Sequence, residues 1–285
     1  MFDAAVSGIP SGGAYALIGV TVVLLYRMAG TLNFTAAVTG AFGAFTVVTV
    51  VDAGGGLLVA VLAGMIVGAT ASGLLGVIAA GLFSDHDEIT RSVVTIAMAM
   101  GLFAIAFRLF GDQPRSFPPL FGGSSITLGS VVVPASNVAS VVLALGLAFG
   151  IAAILNRTRL GLRYQALSFR ASTAEALGVP VRSLLIGAWV FSGLVSAFAL
   201  SLAAPTRQAD MTSLGLMVLP AFAAALVGRF TSFSWTAIGG LVLGVFEALA
   251  IRVSAISAYR GAIPFVVIVV LLLWTQRRAL WDEVR

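Results

Sequence analysis

The sequence has no cysteine, and although arginine and lysine together number 16, every one of them is an arginine. Without cysteine there is no disulfide, no thiolate nucleophile and no sulfur-ligated metal. Without lysine the chain can supply neither the amine that a P-loop places on nucleotide phosphates nor a Schiff base. A single histidine, His86, cannot make the paired histidines of a zincin. The Gly-x-Ser-x-Gly elbow of serine hydrolases is absent, which leaves hydrolytic chemistry little to work with. Charge is scarce too: 9% of residues are charged, 60% are hydrophobic, and mean hydropathy is +1.09. No water-soluble domain of this size keeps such a composition dispersed, so the bilayer is the expected solvent.

What is present is a succession of apolar runs. They cover 4–26, 34–51, 57–83, 93–110, 137–155, 183–204, 214–227, 235–251 and 261–274. About 20 apolar residues cross the hydrocarbon as a helix, and helix is the open-ended structure that satisfies its own backbone in lipid. The predicted fold is therefore all-α: a polytopic transmembrane helical bundle of about eight or nine membrane segments, in a single domain over residues 1–285. Runs 214–227 and 261–274 are short and carry Pro220 and Pro264, so tilted, broken or re-entrant helices are expected there. The start, Met1-Phe2-Asp3-Ala4-Ala5-Val6, lacks the basic region of a cleavable signal, and the first run is expected to be permanent.

The net charge of +5 resides in arginines of short loops, where it reads as a topology signal rather than a nucleic-acid surface. With the segment 157–182 inside, eleven arginines are cytoplasmic (27, 91, 157, 159, 163, 170, 182, 229, 277, 278 and 285). The remaining 16 − 11 = 5, Arg108, Arg115, Arg207, Arg252 and Arg260, are outside. Gly64, Gly68, Ser72 and Gly76 recur at four-residue spacing, and Gly240-x-x-x-Gly244 repeats the device. Such stripes serve internal helix packing or, alternatively, a subunit interface. Between Gly111 and Ala135 a loop rich in Pro, Gly and Ser contains a stretch, 124–133, that reads as a small hairpin. It serves as a lid, a docking surface or a plain connector.

The loop 156–182 is long for a connection between spanning helices and rich in arginine. Helix formers run from Leu162 to Ala171. A second short helix is predicted after Ser172 or Thr173 as N-cap, with Gly178 as its stop and Pro180 beyond. Two short helices under the membrane give a cytosolic partner something to grip.

The segment Ala174-Glu175-Ala176-Leu177-Gly178-Val179 resembles the coupling loop of permease subunits of the branched-chain amino acid type of ABC importers. Gly12-Gly13-Ala14-Tyr15-Ala16-Leu17-Ile18, then Asn33-Phe34 and Gly40-Ala41, resemble that family's first two helices. The run 239–248, Gly239-Gly240-Leu241-Val242-Leu243-Gly244-Val245-Phe246-Glu247-Ala248, resembles its late Gly-rich helix. The order and spacing agree over most of the chain. The sequence departs from the family at Ser168-Phe169-Arg170, at Thr35, and at Arg229, where a glycine is usual.

The resemblance implies a permease without an ATP site or other cofactor of its own, ATP being bound by partner subunits. Its expected partners are a second, similar permease, two cytosolic ATPases, a periplasmic or lipid-anchored solute-binding protein, and the lipids of a bacterial inner membrane. Arg163, Arg170, Ala174, Glu175 and Gly178 are the expected ATPase contacts; Tyr15, Asn33 and Glu247 are the expected pathway residues. Branched-chain amino acids, other amino acids, amides, urea and small carboxylates remain open as solutes. The alternative is a carrier or channel driven by an ion gradient, for which the intramembrane charges are few.

Several of these residues also have ordinary structural uses. An acidic side chain at Glu247 costs ~3 kcal/mol near the bilayer centre, so it needs a partner or water. Beside a pathway it would contact an ammonium group or gate; otherwise it is bonded to neighbouring helices. Asn33 suits capping of a helix beginning at Phe34. Tyr15 and Gly12-Gly13, next to Pro10, mark either a helix break or a kink. The Asp85-His86-Asp87-Glu88 cluster is a metal candidate by composition, but acids just before Thr90 suit a helix N-terminus.

Overall fold

The computed structural model describes residues 2–83, 86–121, 125–128, 131–169, 171–206, 209–252 and 257–282. Its elements in order are α1 (Phe2–Ala29), α2 (Ala36–Asp52), α3 (Leu57–Leu82), α4 (Glu88–Phe110), β1 (Ser125–Leu128), β2 (Val131–Pro134), α5 (Ala135–Arg157), α6 (Arg159–Phe169) and α7 (Ala171–Ala176). Then come α8 (Val181–Ala203), α9 (Met211–Gly215), α10 (Val218–Val227), α11 (Phe233–Ala250) and α12 (Ile263–Asp282). Among the described residues, α1, α3, α4, α5, α8 and α11 belong to segments long and apolar enough to cross a membrane. Three shorter apolar stretches are α2, α9–α10 and the first part of α12. Six crossings rest on length and composition, against the eight or nine expected. The three others fall short because α2 is 17 residues long, α9–α10 is interrupted, and the apolar run of α12 ends at Trp274, before Thr275-Gln276-Arg277-Arg278.

The architecture is helix on helix around α1, which is almost wholly buried and packs against α11, α8, α5, α10 and α6. Outside this core the usual polarity is reversed. Leu58, Leu74, Ile89, Leu109, Phe149 and Val269 are exposed, as suits helices whose surroundings are lipid. The small-residue stripes are used internally. A Cβ on Gly244 would run into the backbone of Gly12 and Gly8, and one on Gly240 into that of Ala16, so α1 and α11 interlock backbone to backbone. Gly64 faces Gly43, Gly68 faces Gly193 and Ala197, and Gly76 faces Trp189, while Ser72 donates to the Trp189 carbonyl at 2.6 Å. The stripe of α3 thus closes on α2 and α8, which removes it as an intersubunit surface.

Pro10 does not break α1, which continues for 28 residues. Proline at position 10 deprives the Val6 carbonyl of its helical donor. Asn137 Nδ2 on α5 supplies the missing hydrogen bond at 2.6 Å. Gly12 lies against Leu241 and Gly240, and Gly13 against Ser140, so this glycine pair serves close packing instead of a break. The interruption occurs at Leu216–Met217, between α9 and α10. Asp210 and Ser213 form a reciprocal capping box at the start of α9. Pro264 sits in the first turn of α12, where the absent amide would have no helical partner anyway.

The hairpin β1–β2 is antiparallel, with Ser125 opposite Pro134 and Leu128 opposite Val131. Its strands lie within one residue of the expected stretch. In the acidic cluster Asp87 is the N-cap of α4, and its carboxylate accepts from the Thr90 amide and hydroxyl. Those bonds, the hydroxyl's first, hold the exposed Asp87 carboxyl below the usual carboxylate range. Among the described residues no group of three His, Asp or Glu could hold a metal; Asp85 lies outside them.

Candidate functional site

Two features lie against opposite ends of α1: a cavity at its N-terminal half and the α6–α7 platform at its C-terminal end. The cavity has a volume of about 1530 Å³, above the roughly 300–1,000 Å³ of ordinary small-molecule pockets. Its wall is made from the first half of α1, the start of α5, the α9–α10 interruption, the end of α11 and the start of α12, with Ser125 of the hairpin at its edge. The interruption matters here: Ser213, Leu216, Met217, Leu219 and Pro220 all face the cavity, so irregular backbone occurs where it borders open space.

Tyr15 and Glu247, 232 positions apart, meet on this wall. The Tyr15 hydroxyl donates to Glu247 Oε2 at 2.6 Å. Interlocking of α1 with α11 explains the meeting, since Gly12 and Gly244 touch one turn before each residue. Glu247 is half-buried and borders the cavity, so the carboxylate is bonded to a neighbouring helix and also faces open space. Ser7, Ser11, Ser136, Asn137 and Thr206 add polar groups, and Ile251 and Phe265 add apolar surface. Glu247 is the one Asp, Glu, His, Lys or Arg among the described lining residues, and the chain has no cysteine. Chemically, the arrangement can bind an ammonium or a hydrogen-bond donor next to apolar surface.

Asn33 lies elsewhere. It is fully buried in the α1–α2 connection and does not line the cavity. Its Oδ1 accepts from the Thr35 amide at 3.0 Å and from the Thr35 hydroxyl at 2.7 Å, while Nδ2 has no hydrogen-bond partner. The helix begins at Ala36 with Thr35 at its N-cap, two residues later than Asn33 would require for capping at Phe34. On the α4 side, Thr95 Oγ1 donates to the Leu32 carbonyl and accepts from the Phe34 amide, which ties this connection to α4 and leaves Phe34 in a turn before the helix.

At the other end, α6 and α7 pack against α5, α8 and α1. Gly161 permits the sharp turn out of α5, because a Cβ there would overlap the backbone of Leu155. Since α6 runs to Phe169, α7 starts at once at Ala171, which puts Ser172 and Thr173 within its first turn and not at its cap. Gly178 ends it as expected, with φ +80° and with Val179 N donating to the Ala174 carbonyl. Arg163, Glu175 and Gly178 are exposed, beside exposed Leu160, Leu162 and Leu177. Ala174 is buried, so its side chain seats α7 on the bundle instead of facing outward. Arg170 lies outside the described residues.

Reading the sequence alone passed over Asn137, Tyr164 and Arg27. Asn137 is a polar residue at the head of an apolar run, and such residues are expected to be bonded. Tyr164 is buried within the exposed α6, and its hydroxyl donates to the Leu24 carbonyl at 2.7 Å. Burial pushes that hydroxyl's pKa well above the usual tyrosine value, and nearby Arg27 only partly offsets this.

The family model described as "Branched-chain amino acid transport system / permease component" matches residues 4–272. The high-affinity branched-chain amino acid transport system permease protein BraD of Pseudomonas aeruginosa is 23% identical over 283 residues, covering 94% of this chain and 92% of that one. The probable branched-chain amino acid transport permease protein LivH of Methanocaldococcus jannaschii is 27% identical over 171 residues, 59% of this chain and 47% of that one. Among solved structures, PsaBC from Streptococcus pneumoniae in complex with Fab is similar over 95% of this chain and 88% of that one, at 15% identity and a TM-score of 0.48.

Proposed function

Because the chain belongs to the family of permease components of branched-chain amino acid transport systems, we propose that it is the membrane subunit of an ABC importer in a bacterial inner membrane, carrying branched-chain amino acids or a related small polar solute. The arginine bias puts α6–α7 and the C-terminus in the cytoplasm and the cavity towards the outside. Nine crossings satisfy this orientation if α2, α9–α10 and α12 span the bilayer with the six longer segments. A second permease completes the pathway, a solute-binding protein delivers solute to the outer opening, and two cytosolic ATPases carry the ATP.

In this reading Arg163, Arg170, Glu175 and Gly178, with the exposed leucines beside them, meet the ATPase, and Ala174 keeps α7 seated. Glu247, oriented by Tyr15, receives the solute ammonium, and the apolar wall receives its side chain. Asn33 acts only at a distance, by shaping the α1–α2 connection. The observation that carries the proposal is the placement of a largely apolar cavity bearing Glu247 and an exposed helical platform against the two ends of one central helix. The family assignment favours this over a carrier driven by an ion gradient. The test is replacement of Glu175 and of Gly178 by tryptophan: ATPase co-purification and solute uptake should both fall, and unchanged values for both would reject the platform assignment.

A further inference from the structure

Arg27 occupies a position that its role as a topology signal does not require. Its guanidinium lies over two rings, 5.9 Å from the centre of Tyr164 on α6 and 5.3 Å from that of Phe233 on α11. Nη1 reaches the Thr231 carbonyl at 3.3 Å. Beside it the Tyr164 hydroxyl holds the Leu24 carbonyl of α1, and Tyr26 packs against Phe230 with ring centres 4.9 Å apart. Three elements therefore meet at one cation: the platform helix α6, the end of α1 and the start of α11. The turn between α10 and α11 is itself constrained, since Arg229 and Phe230 both adopt left-handed backbone at φ 52° and 53°.

Above this junction α1 and α11 are a single mechanical body. Gly8 and Gly12 interlock with Gly240 and Gly244, leaving no room for sliding. The same two helices carry Tyr15 and Glu247 at the cavity, and the nine helical steps from Tyr15 to Leu24 span only about 13 Å. A displacement of α6 is thus handed to α1 and α11 together. Contiguous packed and hydrogen-bonded groups of this kind carry coupling between two sites when both bias the same element.

We propose that Tyr164 and Arg27 form a latch that delivers movement of α6–α7 to the α1–α11 pair, making them positioning residues for transport. This rests on the reading that an ATPase grips α6–α7. The latch governs transmission, whereas Arg163, Glu175 and Gly178 govern attachment. Tyr164→Phe removes one hydroxyl and keeps the ring. Arg27→Lys keeps the charge and loses the planar group that spans the two rings.

The experiment uses the complete transporter in proteoliposomes, with a reporter cysteine introduced as Ile251→Cys at the outer end of α11. The chain has no other cysteine. ATP hydrolysis and the rate of maleimide labelling, with and without ATP plus vanadate, are measured in the same preparation. With the latch intact, nucleotide should change the labelling rate by about fivefold or more. With Tyr164→Phe the hydrolysis rate should stay within about twofold while the labelling response falls below about 1.5-fold, and Arg27→Lys should give an intermediate loss. A full response in both variants overturns the latch. So does a joint loss of hydrolysis and response with normal ATPase co-purification, which would place the defect in the ATPase contact. An unmodified complex that retains no ATPase overturns the underlying reading, and the latch with it. If Tyr164→Phe fails to assemble, Arg27→Lys alone decides between these outcomes.

Discussion

Removal of the Asn137 side chain tests how α1 passes through Pro10. Asn137 Nδ2 donates to the Val6 carbonyl at 2.6 Å, the carbonyl that proline leaves without a helical donor. Asn137→Ala withdraws that donor and leaves a carbonyl unpaired between helices, at a cost of about 1–3 kcal/mol. Hydrogen bonds between membrane helices average about 0.6 kcal/mol and reach about 1.7. Asn137 also borders the cavity, from which water can reach Val6, so the lower part of the range applies and the expected loss is about 1–1.5 kcal/mol. The discriminating step is the same substitution in a Pro10→Ala background. Alanine restores the amide to the Val6 carbonyl, so Asn137→Ala should then cost less than about 0.5 kcal/mol, giving a coupling of about 1 kcal/mol. Reversible unfolding in mixed micelles, followed by tryptophan fluorescence, measures all four corners of the cycle. Additive effects, with a coupling below about 0.3 kcal/mol, would refute the account.

Glu247→Gln removes the cavity's carboxylate but keeps its shape; uptake by the reconstituted complex should fall about tenfold or more with assembly unchanged, and unaltered uptake would discard the pathway role. Arg229→Gly should stabilise the protein by about 0.5–1 kcal/mol, because the left-handed backbone at φ 52° strains any residue with a Cβ, and the gain is read as a higher unfolding midpoint. Gly244→Val should separate α1 from α11 and destabilise by about 2–3 kcal/mol or prevent folding, whereas Gly146→Ala, which meets nothing, should be tolerated. The Asp87 carboxyl is held below its ordinary range in the fold, so its contribution to the start of α4 is present above that range and is lost as the pH falls through the lowered value. Asp87→Asn should flatten that acid limb of the stability profile.

Much of the fold was legible because lipid imposes one rule, that apolar runs become helices. Most expected runs agree with helix bounds to within about five residues, although 214–227 divides into α9 and α10 and α12 runs on to Asp282 beyond 261–274; the 124–133 hairpin is displaced by a single residue, and Gly178 ends α7. Tyr15 and Glu247 stood out as polar groups in apolar helices, yet their hydrogen bond spans 232 positions and follows only from the glycine interlock. What local reasoning misjudged depended on distant partners. Pro10 looks like a break until Asn137 supplies the missing donor. Asn33 does accept a backbone amide, that of Thr35, but the helix starts two residues later than expected because Thr95 of α4 takes the Phe34 amide. Ala174 looks like part of an exposed motif until α7 is seated on the bundle. Arg27 counted as one charge among eleven, and only the folded chain brings Tyr164 and Phe233 to it.

The central claim is that α6–α7 is the site at which an ATPase drives the cavity. Its most direct measurement is cross-linking from Glu175→Cys in the assembled transporter, paired with maleimide accessibility from each side of the membrane. The account predicts labelling from the cytoplasmic side alone and a cross-link to the ATPase subunit that blocks further labelling. Labelling of Glu175→Cys from the outer side, or ATP-dependent uptake with no ATPase within cross-linking reach of this position, would contradict it.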